Sequence, residues 1–386
     1  MQELAEFCEN HRRIYCYGAG RYGREICVYL AEHGIQLNGF IVTSKESDIA
    51  SALGVKIYAF NDIKIEEDDG IVVAVGSKFA DEIVGILRKS GINSFFLVSD
   101  ELLEEIEGST DYSETYLSNQ FVNVLLYHRV ASIEDDYWNI AVDPQYFEEQ
   151  IRWISDNYPI CRFGDDFKKI KEPTFVITFD DGYQDNLQVA LPILEKYNVP
   201  ATFFISTGTI GSNFWWDRLY LGMKENGASE ISEYHSGLRR MNAKDRETFL
   251  MDYPTDDENR AMDVEQLQKL AGHPLVDIGA HTVFHSSLSN LPKDEQEWEI
   301  KESVNKLKKV TGHKIDLFSY PLGDYNATTI DILKDVGIRK SATVSGGLAG
   351  TGDLYRIPRN VVRNQSLDNF KRFVKRCFCV YAEVRE

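Results

Sequence analysis

The stretch that decides the fold is Thr174-Phe175-Val176-Ile177-Thr178-Phe179-Asp180-Asp181-Gly182. Its apolar and β-branched run lacks polar alternation, so it reads as a short strand buried on both faces. Gly182 turns the chain at once and leaves Asp180 and Asp181 at the strand's C-terminal edge, where α/β sheets and barrels place ligands and catalysis. Two adjacent carboxylates in a cleft repel each other. A divalent metal held by one, with the other kept free as a base, is the simplest relief. The plainer alternative is an Asp-Asp-Gly turn capping the next helix, because Asp and Gly are ordinary turn residues.

Working outward, a second buried strand is expected at Ala201-Thr202-Phe203-Phe204-Ile205, after a helix from Asn186 to Tyr197. Residues 208–265 break the rhythm with Phe214-Trp215-Trp216-Asp217-Arg218-Leu219 and a highly charged segment, and read as an inserted helical lid. Alternation resumes at Leu275: strand and turn to His285, helix 294–310, strand to Tyr320, helix 327–336, strand Ser341 to Val344, and a last strand near Tyr355. Upstream, Phe121 to Tyr127 is a strand followed by His128-Arg129-Val130, and Asp143-Pro144 starts a helix with Asp as N-cap and Pro at its first position. About seven strand-helix units over 121–386 predict one irregular parallel barrel.

Residues 13–99 alternate in the same way on a smaller scale and predict a small doubly wound α/β domain over 1–105, with a polar linker at 106–120. Its first strand runs into Gly18-Ala19-Gly20-Arg21-Tyr22-Gly23 and then an amphipathic helix, the context a dinucleotide fingerprint requires. Gly18, Gly20 and Gly23 are therefore candidate cofactor-binding positions, where backbone could approach a phosphate. The place where an acidic residue would hold a ribose carries Ile41-Val42-Thr43-Ser44, which disfavours NAD. The segment resembles the small Rossmann-like domains in front of bacterial surface-sugar-modifying enzymes, including nucleotide-sugar acetyltransferases. A scaffold or oligomerisation module is the plainer alternative.

A formal net charge of -19 argues against non-specific binding to nucleic acid or anionic membrane. A local basic stretch near the end, Lys371, Arg372, Lys375 and Arg376, could contact phosphate but reads as a solvated helix face. Six scattered cysteines with no CxxC pair suit reduced thiols. The start, Met1-Gln2-Glu3-Leu4-Ala5-Glu6-Phe7, lacks the features of a signal peptide, and no uncharged run approaches the length of a membrane span. A cytoplasmic protein is the expectation; oligomeric state is left open.

Two further motifs lie at predicted strand ends. Asp277-Ile278-Gly279-Ala280-His281-Thr282-Val283-Phe284-His285 offers two histidines at i, i+4, which on a helical turn face the same way and suit one metal. Asp plus two His leaves a coordination position open for water, as catalytic sites do. Phe318-Ser319-Tyr320-Pro321-Leu322-Gly323-Asp324-Tyr325 forces a tight turn whose N–H groups could meet an oxyanion.

Together, Thr178-Phe179-Asp180-Asp181-Gly182, His281-Thr282-x-x-His285 and Tyr320-Pro321-x-Gly323 resemble the three motifs of the polysaccharide deacetylase superfamily, carbohydrate esterase family four. The resemblance covers about 121 to 365. It implies a distorted (β/α)7 barrel in which Asp181, His281 and His285 bind a divalent metal, zinc first with cobalt or nickel as alternatives. Asp180 would be the general base toward metal-bound water, and the Leu322 N–H would help hold the oxyanion. Two features depart from the family. No histidine follows His313, so the usual general acid is missing; His128, on the strand preceding the Asp-Asp strand, is the candidate substitute, with a satisfied histidine in the barrel wall as the plainer alternative. The arginine that orients the base is also missing from the third motif, and Arg359 is chosen over Arg356 to replace it. Trp215 and Trp216 offer a sugar-stacking wall or, more plainly, lid packing.

The resemblance implies an N-deacetylase acting on an aminosugar in a nucleotide sugar, lipid-linked glycan or oligosaccharide. Hydrolysis of a small non-sugar amide, ureide or imide is the alternative within the barrel. A metal-free sugar-binding or scaffold protein is the alternative outside enzymes.

Overall fold

The computed structural model describes residues 1–43, 51–110, 112, 122–225, 228–256, 260–350 and 352–380. The chain divides into two units, 1–120 with 371–386, and 121–370. Ser44 and most of the expected linker, 111 and 113–120, fall outside the described residues.

The first unit runs α1 (Gln2–Glu9), β1 (Arg13–Tyr17), α2 (Arg21–Glu32), β2 (Gly39–Val42), β3 (Ser51–Ala52), β4 (Val55–Ala59), β5 (Asp69–Val73), α3 (Ser77–Lys89), β6 (Phe95–Leu97) and α4 (Asp100–Ser109). Its sheet has the order β3-β4-β2-β1-β5-β6, parallel except at the β3 edge. Apolar residues cover both faces, Ile26, Val28, Leu30 and Leu103 in one core and Ile83 and Leu87 in the other. This is the arrangement of a doubly wound sheet. Strand order reverses between β1 and β5, so the turn after β1 sits at the crevice such sheets use for ligands.

The second unit begins with β7 (Val122–Tyr127), β8 (Arg129–Val130), β9 (Ala141–Val142), α5 (Pro144–Asn157), β10 (Thr174–Phe179), α6 (Leu191–Lys196) and β11 (Ala201–Ile205). The insertion supplies α7 (Trp215–Met223), α8 (Ala228–Leu238) and α9 (Ala243–Phe249). After α10 (Val264–Ala271) come β12 (Val276–Ala280), α11 (Lys293–Thr311), β13 (Leu317–Ser319), α12 (Ala327–Asp335), β14 (Lys340–Ala342) and β15 (Asn360–Val361); α13 (Leu367–Val380) starts here, but from Lys371 it is grouped with the first unit. Seven parallel strands follow the order β14-β13-β12-β11-β10-β7-β15. The seam is drawn together just before β15, where Ala342 bridges Ile357 in parallel and the Thr343 N–H donates to Ile357 O at 2.9 Å. The result is a distorted (β/α)7 barrel.

Three expectations need correction. The last strand is Asn360–Val361 rather than a segment near Tyr355, because Tyr355 lies in a turn whose N–H donates to the Asp353 carboxylate at 2.8 Å. The helix expected from Asn186 opens with a wide turn over Asn186–Ala190 before α6. Pro192 lacks the N–H that a regular preceding turn needs. Nor is the basic stretch near the C-terminus merely a solvated face. From Lys371 the chain groups with the first unit, where Arg376 donates to Glu107 at 2.7 Å. Arg372 donates to the carbonyls of Glu107, Gly108 and Thr110, satisfying acceptors that the end of α4 leaves open. All six cysteines are free thiols. No helix among the described residues is long and apolar enough to cross a membrane.

Alternation along β10 sends Val176, Thr178 and then Asp180 to one face. Val176 joins Val122, Val124, Phe204, Leu317 and Ala342 in a dry plug. Above it the polar residues begin. The barrel thus presents chemistry on an apolar floor.

Candidate active site

Asp181, His281 and His285 come together at the C-terminal ends of β10 and β12. Their ligand atoms all lie within 4.8 Å of one another, and all three side chains are buried, His285 at 7% exposure the least so. Asp181 Oδ1 is 3.6 Å from His281 Nε2 and 3.4 Å from His285 Nε2. Those separations are long for hydrogen bonds. They are close to the edge of a tetrahedron built on metal–ligand bonds of about 2.0–2.2 Å, roughly 3.3 Å. Oδ1 of Asp181 is buried without a hydrogen-bond partner, as a carboxylate oxygen reserved for a cation would be. The ring nitrogen of His281 remote from the cluster, Nδ1, lies 2.8 Å from the carbonyl of Ser319, so it carries the proton and Nε2 presents its lone pair inward. The residues present therefore fit a divalent ion held by one carboxylate and two imidazoles.

The electrostatics agree. Burial pushes His285 down to about 3, despite the pull of Asp181, and leaves a neutral ring suited to ligation. Burial acts the same way on His281 but is outweighed by Asp180 and Asp181, so that ring is raised. The cluster attracts positive charge.

The histidine pair does not sit on a helical turn, contrary to expectation. Residues 281–285 form a non-helical turn with Thr282 at φ 62° and His285 at φ 51°. Of the eight non-glycine residues with positive φ among those described, Asp181 (74°), Thr282, His285 and Leu322 (60°) belong to these strand-end turns. Such backbone costs roughly 1–2 kcal/mol per residue and persists where the surroundings enforce it. The rings nevertheless converge, with centroids 4.8 Å apart.

Asp180 is held by a different set. Arg359 Nη1 and Nη2 donate to its two oxygens at 2.7 and 2.6 Å, and Ser319 Oγ donates to Oδ2 at 3.0 Å. Arg359 is fully buried inside the barrel, with Nε on the carbonyl of Thr343 at 2.9 Å and Nη2 on Ser319 Oγ at 2.7 Å. Burial raises the carboxyl of Asp180, but Arg359, with His281 and His128, overrides it and holds the group well below the usual carboxylate range. Arg356 pairs instead with Asp353 at 2.6 Å.

His128 follows β7 and faces the same carboxylates. Burial pushes its ring below the ordinary histidine range against the pull of Asp181 and Asp180, so it rests neutral. Leu322 occupies the middle of the Pro321–Gly323 turn in left-handed backbone, and a Cβ on Gly323 would lie 2.5 Å from Val344 Cγ2. Leu322 and Gly323 are partly exposed on the rim. Trp215 and Trp216 are buried in the core of the insertion; Trp216 packs on the His285 ring at 4.6 Å and donates to Tyr183 Oη at 2.8 Å. They pack the lid rather than offer a free stacking face. In the first unit, a Cβ on Gly18 would meet Ala74 O at 2.5 Å and one on Gly23 would meet Gly18 O at 1.8 Å, so close packing accounts for both. Gly20 faces open space.

Fold and donor set define the class: a seven-stranded barrel with an Asp-His-His cluster and a second, arginine-bound aspartate at its rim. Residues 168–341, within this barrel, match the family model described as polysaccharide deacetylase. It is 28% identical over 264 residues to the poly-beta-1,6-N-acetyl-D-glucosamine N-deacetylase of Staphylococcus epidermidis, covering 67% of this chain and 77% of that protein. Over 233 residues it is 25% identical to YxkH of Bacillus subtilis, 58% of this chain and 65% of that one, so less than two thirds of that relative is spanned. IcaB from Ammonifex degensii shares the fold at a TM-score of 0.50 and 20% identity, covering 68% of this chain and 100% of that one.

Sequence reasoning missed Glu299 and Arg246. Glu299 accepts from the N–H groups of Val283 and Phe284 and from Ser286 Oγ, and Arg246 donates to Phe284 O. Each is one charge on a charge-rich helix, and no local pattern marks it as buried.

Proposed function

We propose that the barrel hydrolyses the N-acetyl amide of an aminosugar residue, with a divalent metal, zinc first, held by Asp181, His281 and His285. The observation that carries this is the pairing of two differently held aspartates: Asp181 open toward two imidazoles, Asp180 fastened to Arg359 and Ser319. A bound divalent ion supplies Lewis acidity toward the carbonyl and toward the attacking water. Asp180 stays ionised at working pH and accepts the water's proton; Arg359 fixes its direction while weakening it as a base. The N–H of Leu322 is offered to the developing oxyanion from a turn already locked by Pro321 and Gly323. His128, whose ring rests neutral, is placed to pass on to the departing amine the proton that Asp180 takes from the water.

The names of the relatives favour a β-linked N-acetylglucosamine glycan as substrate. A nucleotide sugar or a lipid-linked intermediate is the other substrate class. One assay separates them: amine release from N-acetylated oligosaccharides and nucleotide sugars, before and after removal of metal by chelation and after zinc is restored. Release that survives complete chelation, or is absent across the panel with zinc bound, would overturn the assignment. His128→Ala is expected to lower kcat by about 10²-fold or more; a change of only a few-fold removes His128 from the mechanism.

A further inference from the structure

One residue of the histidine turn is gripped from both sides. The N–H of Phe284 donates to Glu299 Oε2 at 3.0 Å, and the neighbouring N–H of Val283 donates to the same oxygen at 2.7 Å. Ser286 Oγ donates to Glu299 Oε1 at 2.6 Å. On the opposite side, the carbonyl of Phe284 accepts from Arg246 Nη2 at 2.7 Å. Glu299 comes from α11 of the barrel and is 3% exposed, whereas Arg246 comes from α9 of the insertion and is 1% exposed.

Both charges are expensive to bury. Arg246 leaves Nε and Nη1 without partners and lies over the Trp215 ring at 4.9 Å. Desolvation of a guanidinium or carboxylate costs several kcal/mol, so such groups survive in a core where their charge-assisted bonds hold something. Here they hold the backbone between His281 and His285, the stretch strained at Thr282 and His285. Each hydrogen bond to a charged group is worth about 1.5–3 kcal/mol, enough in sum to exceed a strain of roughly 1–2 kcal/mol per residue. Two further contacts reach the turn: Thr207 N–H, just after β11, to Thr282 O at 3.1 Å, and the Trp216 ring of the insertion against His285.

We propose that Glu299 and Arg246 are positioning residues that lock the His281–His285 turn in its left-handed form, so that the insertion completes the metal centre rather than only covering it. This rests on the reading of Asp181, His281 and His285 as metal ligands. A relaxed turn would swing His285 away from Asp181, and metal affinity would fall before any chemistry was affected.

The test uses full-length protein stripped of metal. Zinc affinity is measured by competition with a chromophoric chelator, and amide hydrogen exchange is followed over residues 276–288 and over β10. Glu299→Ala and Arg246→Met are expected to weaken zinc binding about ten- to a hundredfold and to speed exchange in the turn while β10 is unchanged. Glu299→Gln and Arg246→Lys keep part of the grip and should fall between, at least threefold weaker than wild type. Should the truncations fail to fold, the Gln and Lys variants carry the test. Folded variants that bind zinc within twofold of wild type, or exchange at the wild-type rate in the turn, overturn the proposal and leave the metal reading standing. A wild-type protein that takes up no zinc overturns both.

Discussion

Each of the two parallel sheets ends a central strand in a sharp turn, and the turns place their left-handed backbone on different residues. After β1 the left-handed position is Gly18 (φ 112°), where a side chain would collide with Ala74 O. After β10 and β12 such angles fall on Asp181, Thr282 and His285 in addition to Gly182, and after β13 on Leu322 in addition to Gly323. Glycine takes such angles without steric cost, whereas the others do not. A turn that only has to be tight can use glycine. A turn that must also aim a carboxylate or an imidazole keeps the side chain and tolerates the strain.

That contrast is broken most severely by Asp181→Gly. The substitution relieves the backbone and removes a buried carboxylate, so the metal-free protein should melt no lower than wild type. Zinc binding should be lost and kcat/KM should fall by about 10³-fold or more, a loss of roughly 4 kcal/mol in the transition state. Calorimetry of the metal-free protein and amine release check the two halves. A variant that loses stability along with activity would mean that Asp181 is a structural residue first.

Arg359→Met attacks the other aspartate. Breaking a buried charge pair by removing one partner costs about 3–5 kcal/mol, read as a lower urea midpoint. The pH dependence has a definite sign. Asp180 is held below the ordinary carboxylate range by Arg359, despite its burial, so its stabilising contribution is present above about pH 4 and is lost as pH falls through the lower folded value. In the variant the unpaired carboxyl takes up its proton at higher pH. The advantage of wild type over Arg359→Met should therefore be largest near neutrality and shrink steadily on acidification. A gap that widens toward low pH contradicts the assigned pair.

Gly23→Ala probes the other side of the comparison. Its Cβ would lie 1.8 Å from a backbone oxygen, so the β1–α2 turn must move, at about 1–3 kcal/mol or somewhat more. The first unit should melt earlier, while zinc affinity in the barrel stays at its wild-type value.

What could be read from the chain alone follows the range of each signal. Asp180, Asp181, His281 and His285 were legible because each motif closes within a few residues of a strand end. The conformation of the histidine turn was not, since a spacing of four residues suits a helix and a strained turn equally. Arg359 lies 179 residues from Asp180 along the chain; it was reachable only by asking which cation could serve the base. β15 has two residues, too few for any periodicity, which is why the last strand was expected near Tyr355. Glu299 sits in Lys293–Thr311, a helix whose charges look like solvent-facing ones. Its burial is a property of how α11 packs on the barrel.

The smallest expected effect is at Gly20, and it separates packing from ligand approach. Gly20 is the N-cap of α2 at φ -76°, an angle open to any residue, and a Cβ there would meet nothing within 4 Å. Alanine is a poorer N-cap than glycine by several tenths of a kcal/mol, while replacing glycine lowers the entropy of the unfolded chain by a comparable amount. The two nearly cancel, so Gly20→Ala should shift the melting temperature by no more than about 2 °C. If this glycine serves a phosphate drawn up to the helix, the variant should bind a nucleotide sugar more weakly in a calorimetric titration while its melt stays put. Equal binding by wild type and variant would leave the turn after β1 as packing alone, the role Gly18 and Gly23 already fill.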